Sequence, residues 1–202
     1  MKKQLGLDIS YWQTEIDFNK MKSNDVKFVF VRATYGDWSD PNFKDNYANA
    51  KKAGLIRGAY HFHRFDSNDK SQLDRFIGML NNDIGEINPV LDFERASSID
   101  EYSKDEILQR LQWSMEYIEK NLRKPIFYTN PDLLNYLKPI PEWLLSHDLW
   151  VAHYTSGDRP SIGGFTKWTF WQFTDRLVSG SDYGVSSKQV DGDYFNGTEE
   201  EL

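Results

Sequence analysis

Eight short segments rich in β-branched and aromatic residues recur along the chain, separated by longer amphipathic or polar stretches. Strands that alternate with helical segments are typical of βα units, in which the strands lie parallel in one sheet. Eight such strands are enough to close a barrel. The predicted strands cover residues 5–9, 27–33, 56–62, 89–93, 126–128, 149–153, 169–173 and 188–191. The sequence therefore predicts an α/β fold.

Two of the intervening helices have start signals. Asp40 precedes Pro41, a favoured first helical residue, and Ser103 with Glu106 forms a capping-box pattern followed by apolar residues at helical spacing. A complete (β/α)₈ barrel needs about 250 residues, whereas this chain has 202. We therefore expect a reduced TIM-like barrel with eight strands and fewer than eight helices, shortened after the fifth strand, where prolines and glycines cluster.

Composition narrows the class of protein. The absence of cysteine excludes a disulfide framework, a thiol nucleophile and thiolate metal sites. A net charge of -7 argues against a nucleic-acid partner. The first residues lack the apolar stretch of a signal peptide, and no segment reaches transmembrane length, so no membrane partner is expected. We expect one domain over residues 1–197, with a polar tail or the start of a linker at 198–202.

Four carboxylates stand at or next to predicted strand ends: Asp8, Asp92, Glu94 and Asp191. A parallel barrel builds its active site where its strands end, so these acids should converge on one mouth. Asp92 and Glu94 alternate along the chain and should face the same side, about 7 Å apart. Crowded acids repel, so at least one should keep its proton to higher pH, as glycosidic hydrolysis requires.

A set of motifs in a fixed order carries a family resemblance. The chain resembles the family 25 glycoside hydrolases, the Chalaropsis-type lysozymes or N-acetylmuramidases of bacterial autolysins and phage endolysins, over nearly its whole length. The motifs are Gly6-Leu7-Asp8-Ile9-Ser10, 16–17, 28–34, 40–41, 46–47, 53–55, Gly58-Ala59-Tyr60-His61-Phe62, Leu91-Asp92-Phe93-Glu94, 128–129, 150–154, Trp171-Gln172-Phe173-Thr174 and Val190-Asp191.

The resemblance implies that residues 1–197 are a catalytic domain that cuts the β-1,4 bond from N-acetylmuramic acid to N-acetylglucosamine in peptidoglycan, without a cofactor. It implies that Glu94 is the general acid and then the general base. Asp92 then stabilises positive charge at the sugar, either as a nucleophile or by orienting the substrate's acetamido group. Asp8 and Asp191 resemble the remaining two acids of the family's site.

Five further residues are candidates for binding the glycan, although the tyrosines and the tryptophan are also typical of a packed core. They are Tyr60, His61, Tyr128, Trp150 and Gln172. Trp12 and Trp38 lie in predicted loops.

The last strand departs from the family pattern. Asp191 is followed by Gly192 and Asp193, where an apolar residue and then often Asn are expected, so Asp193 is a second candidate for the role of Asp191. Arg64 after the histidine pair is a further departure.

Two alternative functions remain open on the residues alone. His61 and His63 form an H-x-H pair that suits a metal-dependent hydrolase; otherwise His61 packs beneath the acids and His63 is partly exposed. The second alternative is a wall-binding module that holds glycan without cutting it. The expected partner remains bacterial cell-wall peptidoglycan. We expect a monomer acting at the cell wall, reached by secretion or phage lysis, with targeting by a C-terminal wall-binding module because an acidic domain gains no attraction to anionic wall polymers.

Overall fold

The computed structural model describes residues 3–80, 83–95, 98–177, 180–186 and 189–202. Its strands form one nine-stranded sheet in the order β1-β9-β8-β7-β6-β5-β4-β2-β3, and β1 also pairs with β2. Eight strands thus close a barrel, and the short β3 extends β2 as a hairpin. The strands are β1 Gln4–Ile9, β2 Phe28–Tyr35, β3 Trp38–Ser39, β4 Ile56–Phe62, β5 Val90–Asp92, β6 Ile126–Thr129, β7 Leu149–Ala152, β8 Phe170–Thr174 and β9 Asp191–Phe195.

The last barrel strand differs from the prediction in both position and direction. β9 begins at Asp191 instead of ending there, and it runs antiparallel to both β1 and β8. The predicted strand 188–191 is therefore wrong, and Lys188 lies outside the described residues. The reversal preserves the expected convergence, because the first residue of an antiparallel strand lies beside the last residues of its parallel neighbours. Asp191 pairs directly with Asp8.

Six α-helices surround the barrel within the described residues, which confirms the reduced architecture. They are α1 Phe18–Ser23, α2 Phe43–Lys52, α3 Asp69–Leu80, α4 Lys104–Asn121, α5 Pro131–Tyr136 and α6 Glu142–Leu145. After β6 the helices are short, and the connection 153–169, described throughout, contains no helix. The capping box of Ser103 and Glu106 is present at the start of α4. No helix in the described part of the chain is long and apolar enough to cross a membrane.

The predicted cap at Asp40 is wrong. Helix α2 begins at Phe43, and its N-cap residue Asn42 makes no side-chain capping bond. The Asp40 carboxylate is buried and accepts hydrogen bonds from Arg32 Nε and the backbone N–H of Tyr11. Asp40, which the sequence predicts to be a helix cap, is therefore the buried counter-ion of Arg32.

Two apolar layers hold the barrel together. The outer layer lies between the strands and the helices, and the inner layer fills the lower half of the barrel with aromatic rings, including Phe30 stacked on Trp150 with ring centroids 4.0 Å apart. Gly58 makes room for this packing, since a Cβ there would lie 2.4 Å from the Phe30 ring. The aromatic floor leaves only the upper half of the barrel open.

Residues 198–202, predicted as a polar tail or the start of a linker, lie against the base of the barrel. Leu202 packs against the inner aromatic layer, and Glu199 forms an ion pair with Lys27 at 2.9 Å.

Candidate active site

A cavity of about 270 Å³ opens where the parallel strands end and β9 begins. The structure brings all four predicted carboxylates, Asp8, Asp92, Glu94 and Asp191, to its wall. It also places there four of the five predicted binding residues, Tyr60, Tyr128, Trp150 and Gln172, of which Trp150 is buried and forms the floor.

Gln172 connects both sides of this cavity. Its Oε1 accepts hydrogen bonds from the hydroxyls of Tyr128 at 3.0 Å and Tyr154 at 2.7 Å. Its Nε2 donates to Asp8 Oδ2 at 2.9 Å and to Asp191 Oδ2 at 3.3 Å. With every polar atom of the amide engaged, Gln172 holds two tyrosines and two acids in one arrangement.

Asp92 and Glu94 form a coupled pair on the β5 side. Burial raises the pKa of Asp92 well above its usual value, and the charges of Glu94 and Asp8 add to this while Arg32 opposes it. Burial also raises the pKa of Glu94, against a hydrogen bond from Tyr128 that lowers it. Glu94 is partly exposed at the rim, whereas Asp92 is buried. Because the two carboxyls interact, they take up protons as a unit. The pair still holds a proton at pH values where isolated carboxyls are ionised.

Asp8 and Asp191 form the opposite wall. Burial and then the charge of Asp193 raise the pKa of Asp8 well above its usual value. Burial, followed by the charges of Asp8 and Asp175, raises the pKa of Asp191 to about 9. Asp193 lies deeper, fully buried, and does not line the cavity. The structure therefore places Asp191 on the cavity wall and Asp193 beneath it.

The histidine pair lies on the other side of the barrel wall. His61 is fully buried, with Nδ1 2.7 Å from Thr34 Oγ1 and Nε2 3.1 Å from Gln72 Oε1. Its prediction as a binding residue is wrong, because Tyr60 faces the cavity and neighbouring residues on a strand face opposite ways. His63 is also fully buried, not partly exposed, and Nε2 lies 3.4 Å from Asp69.

Both histidines are neutral in their buried environment. Burial, with the neighbouring His63, lowers the pKa of His61 to about 3, and burial with the charge of Arg110 lowers that of His63 to about 3. Within the described residues no cluster of three or more histidine, cysteine or acidic side chains is placed to hold a metal ion.

The sequence prediction missed Arg32, which also lines the cavity. Its guanidinium is nine-tenths buried, pairs with Asp40 at 3.1 Å and lies 5.0 Å from the ring centre of Tyr11. The signal was present in the sequence, because Phe28, Phe30 and Arg32 alternate on one strand and must face the barrel interior together.

A groove continues from the cavity on both sides. One neighbouring hollow of about 570 Å³ is lined by Tyr11, Trp12, Arg32, Tyr35 and Trp38. Another of about 500 Å³ is lined by residues that include Asp8, Trp12, Asp175 and Asp191. Trp12, 68% exposed, lines all three spaces. Exposed tryptophan faces beside paired acids are suited to an extended chain of sugar rings.

Comparison with known proteins identifies the family of this chain. The family model for glycosyl hydrolases family 25 matches residues 7–181. The chain belongs to this family. It is 32% identical to lysozyme M1 of Streptomyces globisporus, over 96% of this chain and 68% of that protein. The N,O-diacetylmuramidase of Chalaropsis sp. is 28% identical, over 95% of both chains.

Solved structures agree with the fold. The bacterial lysozyme from Streptomyces coelicolor superposes with a TM-score of 0.87 at 29% identity, covering 100% of this chain and 96% of that one. The family 25 glycosyl hydrolase from Bacillus anthracis superposes with a TM-score of 0.84 at 30% identity, covering 98% of this chain and 90% of that one. The reduced α/β barrel is therefore the family's architecture, and the resemblance in the motifs is confirmed.

Proposed function

We propose that this family 25 hydrolase uses Glu94 as its general acid and base, with Asp92 stabilising the positive centre. As a family member with lysozyme and muramidase relatives, the enzyme is an N-acetylmuramidase that hydrolyses peptidoglycan. The bond cut is the β-1,4 link between N-acetylmuramic acid and N-acetylglucosamine. The assignment of the individual residues rests on the geometry of the cavity.

The observation that carries this assignment is the coupled pair of Asp92 and Glu94 at the end of β5. Because both groups are desolvated and repel each other, the pair keeps a proton that isolated carboxyls would lose. We assign the transferable proton to Glu94 because, of the two carboxyls, that one lies at the rim, where the leaving oxygen of a bound glycan would lie. Burial favours a proton on Asp92 as well, but the charge of Arg32 opposes it and favours the ionised form of that group.

The reaction then follows the general logic of a carboxyl pair. Glu94 gives its proton to the glycosidic oxygen as the bond to the sugar carbon breaks, and it later removes a proton from the attacking water. Asp92 offsets the positive charge at that carbon, as a nucleophile or by orienting the substrate's acetamido group. Asp8, Asp191 and Gln172 bind and orient the sugar on the opposite wall.

The test is digestion of purified peptidoglycan by the wild type, Glu94→Gln and Asp92→Asn, followed by borohydride reduction and mass spectrometry of the new ends. We expect reduced muramic-acid ends from the wild type and a loss of at least about 10²-fold in rate for each variant, which is the scale of general acid–base catalysis. Glu119→Gln, on the exposed face of α4, is the matched control. A Glu94→Gln enzyme with wild-type turnover would refute the assignment.

The same variants separate the two alternative functions. A wall-binding module would hold glycan with equal affinity in the wild type and Glu94→Gln and release no new ends from either. A metal-dependent hydrolase would lose activity in EDTA, whereas the proposed mechanism predicts full activity, because both catalytic groups are carboxyls.

Oligomeric state and targeting belong to the same proposal. We expect a monomer, measurable by light scattering after size exclusion, acting at the bacterial cell wall after secretion or phage lysis. The charge of -7 supports targeting by a C-terminal wall-binding module. A full-length gene without such a module would refute that part alone.

A further inference from the structure

Asp193 is a buried acid directly beneath the cavity, with no role in the mechanism above. It lies opposite Gly6 and Gln172 in the sheet, on the same inner face as Asp191. Its side chain is fully buried, and Oδ1 accepts a hydrogen bond from Trp150 Nε1 at 2.9 Å.

Asp193 pairs with Gly6 of β1, and Asp8 lies two residues further along that strand, so the two acids are diagonal neighbours on the inner face. Among the described residues Asp193 Oδ2 is buried without a hydrogen-bond partner, and the neighbouring Asp8 carboxyl acts on the pKa of Asp193. Two ionised carboxylates have no donor between them, so a hydrogen bond between Asp193 and Asp8 requires a proton on one of the two groups. Without that proton, two buried anions would repel each other.

We propose that Asp193 is a positioning residue, which shares a proton with Asp8 and holds the Asp8 carboxyl in place on the cavity wall. Asp8 in turn contacts Asp191 and accepts from Gln172 Nε2, so the shared proton helps to order the whole wall. The family resemblance leads one to expect Asn at position 193. An amide donates to Asp8 at any pH, whereas the acid makes this contact only while the proton remains.

The surroundings of Asp193 contain few other charges. Asp8 from β1 and Asp191 from its own strand are the ionisable groups that act on it, while its contacts from β7 and β8, Trp150 and Gln172, are uncharged. Burial, the largest effect, raises the pKa of Asp193 well above its usual value. In the unfolded chain Asp193 ionises with an ordinary pKa of about 3.9, so the folded protein retains a proton that the unfolded chain has lost.

The first test needs no activity, so its outcome is independent of the proposed function. Urea unfolding of the wild type and Asp193→Asn is measured at pH 5 and pH 8. On raising the pH, the unfolding equilibrium constant of the wild type should increase at least about tenfold more than that of the variant, because each pH unit over which folded and unfolded states differ by one proton changes this constant about tenfold. Equal pH dependence in the two proteins would overturn the shared proton.

The second test rests on the proposed function and measures positioning. The pH profile of kcat/KM should have its Asp8-controlled limb at lower pH in Asp193→Asn, by about one unit or more, because the amide favours ionised Asp8. Asp193→Ala, which loses both contacts, should lower kcat at least about tenfold, and the Asn variant should restore most of it. A pH profile unchanged in the Asn variant would leave Asp193 a purely structural residue and overturn the proposal. Failure of the nearly isosteric Asn variant to fold would also overturn it.

Discussion

The buried pair of Arg32 and Asp40 provides a quantitative prediction for stability. The Asp40 side chain is 1% exposed and that of Arg32 is 9% exposed. Asp40 accepts three hydrogen bonds, from Arg32 Nε at 3.1 Å and from the backbone N–H groups of Tyr11 at 2.9 Å and Asn42 at 3.0 Å. Asp40→Ala removes all three hydrogen bonds and leaves the buried Arg32 guanidinium without the counter-ion that it pairs with.

Removal of one partner from such a buried pair costs about 3–5 kcal/mol. For a chain of this size that free energy corresponds to a fall in Tm of about 6–20 °C. The matched control is Lys70→Ala, which breaks the exposed pair with Asp74 on α3, where solvent screening should make the cost much smaller. The double variant Arg32→Met, Asp40→Ala removes the orphaned charge as well, so it should be more stable than Asp40→Ala alone.

The assay is urea unfolding followed by circular dichroism at pH 6.5, with m-values compared to confirm that each variant unfolds as the wild type does. If Asp40→Ala and Lys70→Ala cost the same, burial does not decide the strength of these pairs and the reasoning fails. If the double variant is as unstable as Asp40→Ala, the loss comes from the loop contacts and not from the unpaired arginine.

Three further predictions follow from other parts of the molecule. Gly58→Ala should destabilise the fold by about 1–3 kcal/mol through overpacking of the inner ring layer, while Gly78→Ala, with open space around it, should not; urea midpoints distinguish the two. Between pH 8 and pH 9 stability should fall, because folded acids such as Asp191, with a pKa of about 9, hold protons that the unfolded chain has lost. The buried histidines are neutral in both states over this range, so a urea midpoint that rises there would contradict the protonation of these acids in the folded state. Trp12→Ala should raise KM for glycan chains about tenfold with little change in kcat, a stacking loss of about 1 kcal/mol or slightly more; steady-state kinetics would show a kcat effect if Trp12 instead touches the reacting centre.

The sequence predicted the elements whose signals are local. The apolar runs of the first seven barrel strands and the capping box at Ser103 depend on neighbours along the chain, and they were placed to within a few residues. The convergence of Asp8, Asp92 and Glu94 followed from the rule that parallel strands end at one mouth.

Two of the predictions that failed, those of the last strand and of the cap at Asp40, depend on contacts between residues far apart in the sequence. The strand β9 carries the acid Asp193 at an inward position, where an apolar residue would have revealed the alternation. Its partners there, Trp150 among them, come from distant parts of the chain. In the sequence Asp40 matches the pattern of a helix N-cap, and its role as a counter-ion follows only from its contact with Arg32 in the fold. The error at His61 was avoidable, because the alternation of a strand does not allow both Tyr60 and His61 to face one cavity.

The antiparallel direction of β9 also determines where the first barrel strand begins and the last one ends. Gln4 pairs with Phe195, and Gln4 Nε2 donates to the carbonyl of Gly197 at 3.3 Å, so both ends of the barrel chain meet at the base, on the side away from the cavity. In an all-parallel barrel the last strand would instead end at the mouth of the cavity. An affinity tag or a surface tether fused at either end therefore leaves the groove unobstructed, and a short peptide joining the two ends would permit circular permutation without crossing the path of a glycan strand.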